Sequence, residues 1–83
     1  MSVIDRQCHK AIDLIISGDW EGSHKIVQAI NTPIAQWIHA VLHKIEGDEA
    51  NSRYWYSRSG FDIYEKYNNS QHELNIIKSK LPN

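Results

Sequence analysis

The segment NTPIAQWIHAVLHKIEGD, Asn31 to Asp48, carries its own start, stripe and stop. Asn31 and Thr32 precede Pro33, which suits a first helical position because its missing N–H would go unpaired there in any case. Ile34, Trp37, Ile38, Val41, Leu42 and Ile45 then recur at the spacing of one helical face. Gly47 ends the run, since glycine adopts the left-handed conformation of a helix C-terminus without steric cost. This stretch reads as the central helix of an all-α domain.

Working outward, Gly47-Asp48 is both a stop and the N-cap of a fourth helix that runs from about Glu49 to Ser59 and is closed by Gly60. Upstream, Ile4, Cys8, Ala11, Ile12 and Ile15 share one face of a helix from Val3 to Ile16. Gly18-Asp19 then stops it and starts a second helix, running to about Ile30, whose apolar side is Trp20, Ile26, Val27 and Ile30. Downstream, Phe61 to Asn69 loses the helical period and reads as a loop with one helical turn. Ser70-Gln71-His72-Glu73 has the form of a capping box ahead of Leu74, Ile77 and Leu81. No alternating strand pattern or Asn-Gly or Asp-Gly hairpin turn occurs.

Sliding the sequence so that Gly18 falls on Gly47, 29 positions on, also pairs Ala11 with Ala40, Asp19 with Asp48 and Ser23 with Ser52. Ile12 and Ile16 fall on Val41 and Ile45. The expected organisation is one domain: a helical hairpin over about 3–30, a second, also antiparallel, over about 33–59, a loop over 60–69 and a C-terminal helix over about 70–81. Each hairpin leaves an apolar face that stacking against the other covers.

Composition narrows the classes of function. The 83 residues hold nine Lys plus Arg against ten Asp plus Glu, for a net charge of −1. The basic residues are scattered, so a nucleic-acid partner, which needs clustered cations to track phosphates, is not expected. No apolar run nears the ~20 residues that span a bilayer, so no membrane partner is expected either. Asp5 and Arg6 interrupt what a secretory leader needs as an apolar stretch. The lone Cys8 has no disulfide partner in the chain, which points to reducing cytoplasm. Five histidines are the exception to this blandness, because they lift the net charge from −1 to about +4 as pH falls past ~6.5.

The block GDEANSRYWYSRSG, Gly47 to Gly60, resembles the second helix of tetratricopeptide and especially Sel1-like repeats in its Ser52, Trp55, Tyr56, Arg58, Ser59 and Gly60. GDWEGSHKIVQAI, Gly18 to Ile30, is similar to the same element. The resemblance covers roughly residues 8 to 60 and implies a helical-hairpin fold; the spacing of 29 is shorter than the ~34 of tetratricopeptide repeats. The whole block WIHAVLHKIEGDEANSRYWYSRSG, Trp37 to Gly60, is also similar to a group of small bacterial helical proteins. That likeness carries a shared pattern of His, Trp and Tyr positions and no chemistry.

Three places bear on function. His39, His43 and Glu46 stand at i, i+4 and i+7, on the side of the central helix opposite its apolar stripe. Two imidazoles one turn apart can share a zinc or similar divalent ion, and a carboxylate on the next turn can complete or orient it. The ordinary reading of such a face is a solvated back; a polar groove against the first or last helix is the third reading. His24 lies between Trp20 and Gln28 at the same spacing, and His9 sits at the edge of the first helix's stripe. Were His9, His24, His39 and His43 to converge, they would form one site. Tyr54, Trp55 and Tyr56 are consecutive and so cannot share one core. Tyr56 is expected to pack within its hairpin, leaving Tyr54 or Trp55, with Arg53, for a neighbouring element, a partner or a second copy.

No phosphate loop, nucleophile elbow or acidic metal cluster is present. Cys8 lies on an apolar stripe, as an inert core thiol would, so no catalytic residue and no obligatory cofactor is expected. The leading expectation is a non-enzymatic helical-repeat interaction module or self-associating subunit with a protein partner or a second copy of itself. The alternative is a histidine-lined site for a metal or small ligand, with acid/base chemistry by His39 or His43.

Overall fold

A computed structural model describes residues 2–82 and shows five helices among them: α1 (Val3–Ile16), α2 (Trp20–Val27), α3 (Pro33–Glu46), α4 (Glu49–Ser59) and α5 (Ser70–Ser79). The fold is all-α, with no strand among the described residues. None of these helices is long and apolar enough to cross a membrane.

The two Gly-Asp turns are built alike. Gly18 and Gly47 take φ of 93° and 87°, the left-handed conformation that stops the preceding helix. The following aspartate amide reaches back in both: Asp19 N–H donates to the Leu14 carbonyl at 2.7 Å and Asp48 N–H to that of His43 at 2.9 Å. The side chains of Asp19 and Asp48 then accept from the amides of Gly22 and Asn51, capping α2 and α4. Thr32 caps α3 in the same way, with its backbone extended as a residue before proline prefers. α2 ends at Val27, short of Ile30, where the chain tightens into a turn: residues 28 and 29 are held by Ile30 N–H on the Val27 carbonyl at 3.1 Å.

α3 touches each of the other four helices, and α1 packs on α2 as α4 packs on α3. Residues 35–43 are consequently buried without a break. A helix covered on all sides cannot keep a solvated back, so the polar residues His39 and His43 lie inside. The apolar stripe also fails at its ends. Ile4 and Ile45 are exposed, Ile45 in the last turn of α3 and Ile16 in the matching place of α1, where the chain reverses. Small residues allow the closest approach: Ser23 and Ser52, matched in the repeat, are both fully buried. The Ser52 hydroxyl donates to the Ala40 carbonyl at 2.7 Å and so ties α4 to α3.

Glu73 departs furthest from its expected place. Asn69 is the true N-cap of α5, accepting from the His72 amide at 2.9 Å, and Ser70 is the first helical residue. Freed from capping, the Glu73 carboxylate turns inward and is fully buried. Oε2 accepts from Trp37 Nε1 at 2.8 Å and from the Tyr56 hydroxyl, while Oε1 faces Lys44 Nζ at 3.1 Å. Lys44 uses its remaining protons on the carbonyls of Tyr64 and Tyr67, at 2.8 and 3.0 Å. Its ammonium also lies 4.8 Å from the ring centres of Tyr56 and Tyr64. This pins the loop between α4 and α5, whose single turn is closed by Lys66 N–H on the Ile63 carbonyl at 3.0 Å. Burial and the hydrogen bond to Glu73 push the Tyr56 phenol well above its usual pKa, so it stays a donor.

Removing one partner from such a centre strands the others without water. Glu73→Ala is therefore expected to cost about 3–5 kcal/mol of unfolding free energy. Glu73→Gln, whose amide oxygen still accepts from Trp37 and Tyr56 while Lys44 keeps the carbonyls of Tyr64 and Tyr67, loses the charge and the acceptor facing Lys44 and should cost less. Guanidinium melts of the two variants beside the parent chain measure the order.

Candidate functional site

The polar side of α3 is met by the N-terminal half of α2. Asp19 sets where α2 begins, so Trp20 is its first residue, and the Trp20 indole donates to the Leu42 carbonyl at 2.8 Å. One turn on, His24 lies flat against that indole, with ring centres 4.7 Å apart and planes 16° from parallel. Its Nε2 stands 3.1 Å from Nε2 of His39. His39 and His43, on successive turns of α3, are stacked at 5.0 Å, and the His24 ring meets both edge-on. Trp55, from α4, closes the column by stacking on His39 at 4.0 Å and 14°.

Three imidazoles from two helices are thus enclosed between two indoles. One ring nitrogen of each of His24, His39 and His43 lies within 4.8 Å of the others. His43 Nδ1 is occupied by Glu46 Oε1 at 2.8 Å, which leaves Nε2 as its free nitrogen. His39 is 4 % exposed, and its Nδ1 has no hydrogen-bond partner within the protein. Burial, reinforced by the neighbouring His24 and His43, lowers its pKa to about 4. Burial also lowers the pKa of His24, with His43 adding to the effect and Glu21 and Glu46 opposing it. The protein thus disfavours the charged forms of His24 and His39, and their close nitrogen–nitrogen contact is a hydrogen bond in which one ring donates and the other accepts.

The other candidates lie elsewhere or serve other ends. His9 is not part of the cluster; its Nε2 is bonded to the Pro82 carbonyl at 2.8 Å, joining α1 to the C-terminal segment. Four histidines do not converge: α1 carries His9 to a different edge of the bundle. Arg53 is taken up by Glu49 and Glu65, at 2.7 and 3.0 Å, with its guanidinium over the Tyr64 ring. Tyr54 is 53 % exposed, Tyr56 is buried in the Glu73 centre, and Trp55 is half-buried on His39. Cys8 is buried, and desolvation with the nearby Asp5 pushes its thiol up to about 11, away from nucleophilic chemistry. A second grouping, His43 with Glu46 and Asp48, adjoins the first, but Asp48 is committed to Asn51 as the cap of α4.

Their spacing of four links Trp20 to His24 in the sequence, but nothing in the sequence pairs His39 with Trp55. That contact arises because α4 crosses α3 at the Ser52–Ala40 approach. Comparison of this chain with protein-family models, with curated proteins and with solved structures finds no match in any of the three.

The lowered pKa of His39 has a signed consequence. Between about 4 and the ordinary 6.5 the unfolded chain binds a proton that the folded chain refuses, so stability is complete above that window and falls as pH drops through it. One such proton contributes a slope of up to about 1.4 kcal/mol per pH unit, and His24 adds in the same direction. Thermal melts from neutral pH down to about 4 should show this loss, and the flat, uncharged ring of His39→Phe should make the dependence shallower than in the parent.

Proposed function

We propose that this protein binds a divalent transition metal, zinc in the first place, through His24, His39 and His43. The observation that carries the reading is the convergence of three ring nitrogens within 4.8 Å from two helices held in register by their own packing. Zinc–imidazole bonds are about 2.0–2.1 Å, so two nitrogens on one tetrahedral ion stand roughly 3.3 Å apart; the His24–His39 pair already stands at 3.1 Å. Metal requires neutral imidazole, and the environment that weakens proton binding at His24 and His39 leaves the competitor weak. Glu46 on His43 Nδ1 supplies the carboxylate that fixes tautomer and ring orientation in metal-bound histidines. The role expected of Glu46 is therefore orientation of His43, while His24 takes the place as third ligand. Imidazole donors also suit nickel, copper and iron, so zinc is the first metal to test and not the last.

Titration calorimetry of the metal-free chain with zinc is expected to give one ion per chain, with a rise in melting temperature. His24→Ala, at the half-buried position of the trio, should abolish uptake while the far-ultraviolet helical signal persists. Glu46→Gln should weaken binding about 10- to 100-fold. Absence of stoichiometric uptake, or uptake indifferent to His24→Ala and His43→Ala together, removes the reading.

A second reading rests on Tyr54, which is 53 % exposed beside Trp55 with its ring edge-on at 5.2 Å. In this reading α1 with α2, and α3 with α4, are antiparallel hairpins of tetratricopeptide or Sel1-like type, followed by α5 as a C-terminal helix. The matched Gly-Asp turns support it. The aromatic edge then serves a protein partner or a second copy in the cytoplasm, a compartment that suits the single buried thiol. Sedimentation across concentration should show self-association in the parent and less of it in Tyr54→Ala. A parent that is monomeric throughout leaves Tyr54 to a different partner and withdraws the self-association.

A further inference from the structure

We infer that the metal held by the histidine trio keeps one coordination position open, and that this position takes a small organic carboxylate. The inference rests on the metal reading above and adds what the ion would bind. It starts from the donor count. Three imidazoles make the group, and among the described residues no further His, Cys, Asp or Glu side chain joins it. Glu46 is engaged on the opposite nitrogen of His43, and Asp48 on the first turn of α4. A divalent ion on three protein ligands completes its shell with water or an exogenous donor, the arrangement that distinguishes working zinc sites from closed structural ones.

Charge then selects the donor. Three uncharged ligands leave the ion its full double charge in a setting where His39 and His43 are 4 % and 9 % exposed and indoles form two of the walls. Unneutralised charge is costly where water is scarce. Glu21 and Glu46 act on His24 through space, but neither is a ligand, so an incoming anion is the species that balances the ion at contact. The site reaches the surface where Trp20, His24 and Trp55 are only half-buried.

A second feature points to an anion independently of the metal. Beside Trp55 lies a groove of about 210 Å³ lined by Val27, Gln28, Ile30, Gln36, Trp55 and Arg58. The Arg58 guanidinium stands 5.8 Å from the Trp55 ring centre and has no carboxylate partner among the described residues. By contrast, Arg53, five residues earlier on α4, is paired twice. An unpaired guanidinium next to an indole and a half-apolar groove attracts a carboxylate and gives its short carbon chain a place to lie. Trp55 borders both the groove and His39, so a carboxylate drawn to Arg58 is brought to within one indole of the trio.

Cobalt(II) in place of zinc tests this directly, because its visible absorption reports the ligand set. The cobalt-loaded chain should show a saturable spectral change with azide and again with acetate. Arg58→Ala should weaken the acetate response about tenfold by removing the cation that draws the anion to the groove, while leaving cobalt uptake unchanged. A spectrum that moves with neither anion overturns the open position; if Glu46→Gln then restores the response, Glu46 itself is the fourth ligand. Movement with azide alone overturns the carboxylate, as does an acetate response indifferent to Arg58→Ala. Failure of cobalt to bind at all is a different result, since it removes the metal reading and not merely this extension of it.

Discussion

The bundle is organised around one buried carboxylate. Glu73 is the acceptor that Trp37 and Tyr56 need when their polar hydrogens are taken out of water, and it is the counter-charge that allows Lys44 to sit beneath the loop between α4 and α5. α3, α4, α5 and the intervening loop each contribute to that centre, so their relative positions are specified by directional bonds and not only by apolar area. The cost of taking a carboxylate fully out of water is offset because both oxygens and the ammonium are satisfied.

Fixing one side of α3 in this way determines what the other side meets. With Trp37 held toward Glu73, His39 and His43 face α2 and the exposed edge of α4, where Trp20, His24 and Trp55 close over them. The two polar clusters of the molecule then differ in kind. The Glu73 centre has its acceptors and donors matched, which is the signature of a structural device. The histidine cluster has a buried nitrogen without a partner and a nitrogen–nitrogen contact that works only while one of the two lacks its proton there. Polar capacity left unused in a buried place is the physical ground for reading it as a ligand site.

Much of the helical framework was legible beforehand because it is governed by local chemistry. Glycine before aspartate, and asparagine and threonine before proline, act within a few residues, and the end of α1 and the bounds of α3 and α4 follow from them. The structure departs from the local pattern where local and non-local demands compete. Ser70 and Glu73 satisfy a capping pattern, yet Glu73 is drawn inward by the unmatched hydrogens of Trp37 and Tyr56, and Asn69 caps instead. Ile45 keeps the period of its stripe but falls past the point where neighbours cover α3. His39 and His43 occupy the polar side of an amphipathic pattern, and periodicity cannot reveal that four helices crowd around one.

Hence the residues of α2, α3 and α4 by themselves determined that His39 and His43 share a side of one helix and that His24 rides one turn from Trp20, since those relations depend only on 3.6 residues per turn. Only the tertiary structure decided that His24 meets His39, that Trp55 covers it, that His9 is left outside and that the whole cluster is shielded from water. Those relations arise from the way Gly-Asp turns and small serines bring helices distant in the chain into contact, and no spacing along one helix encodes them.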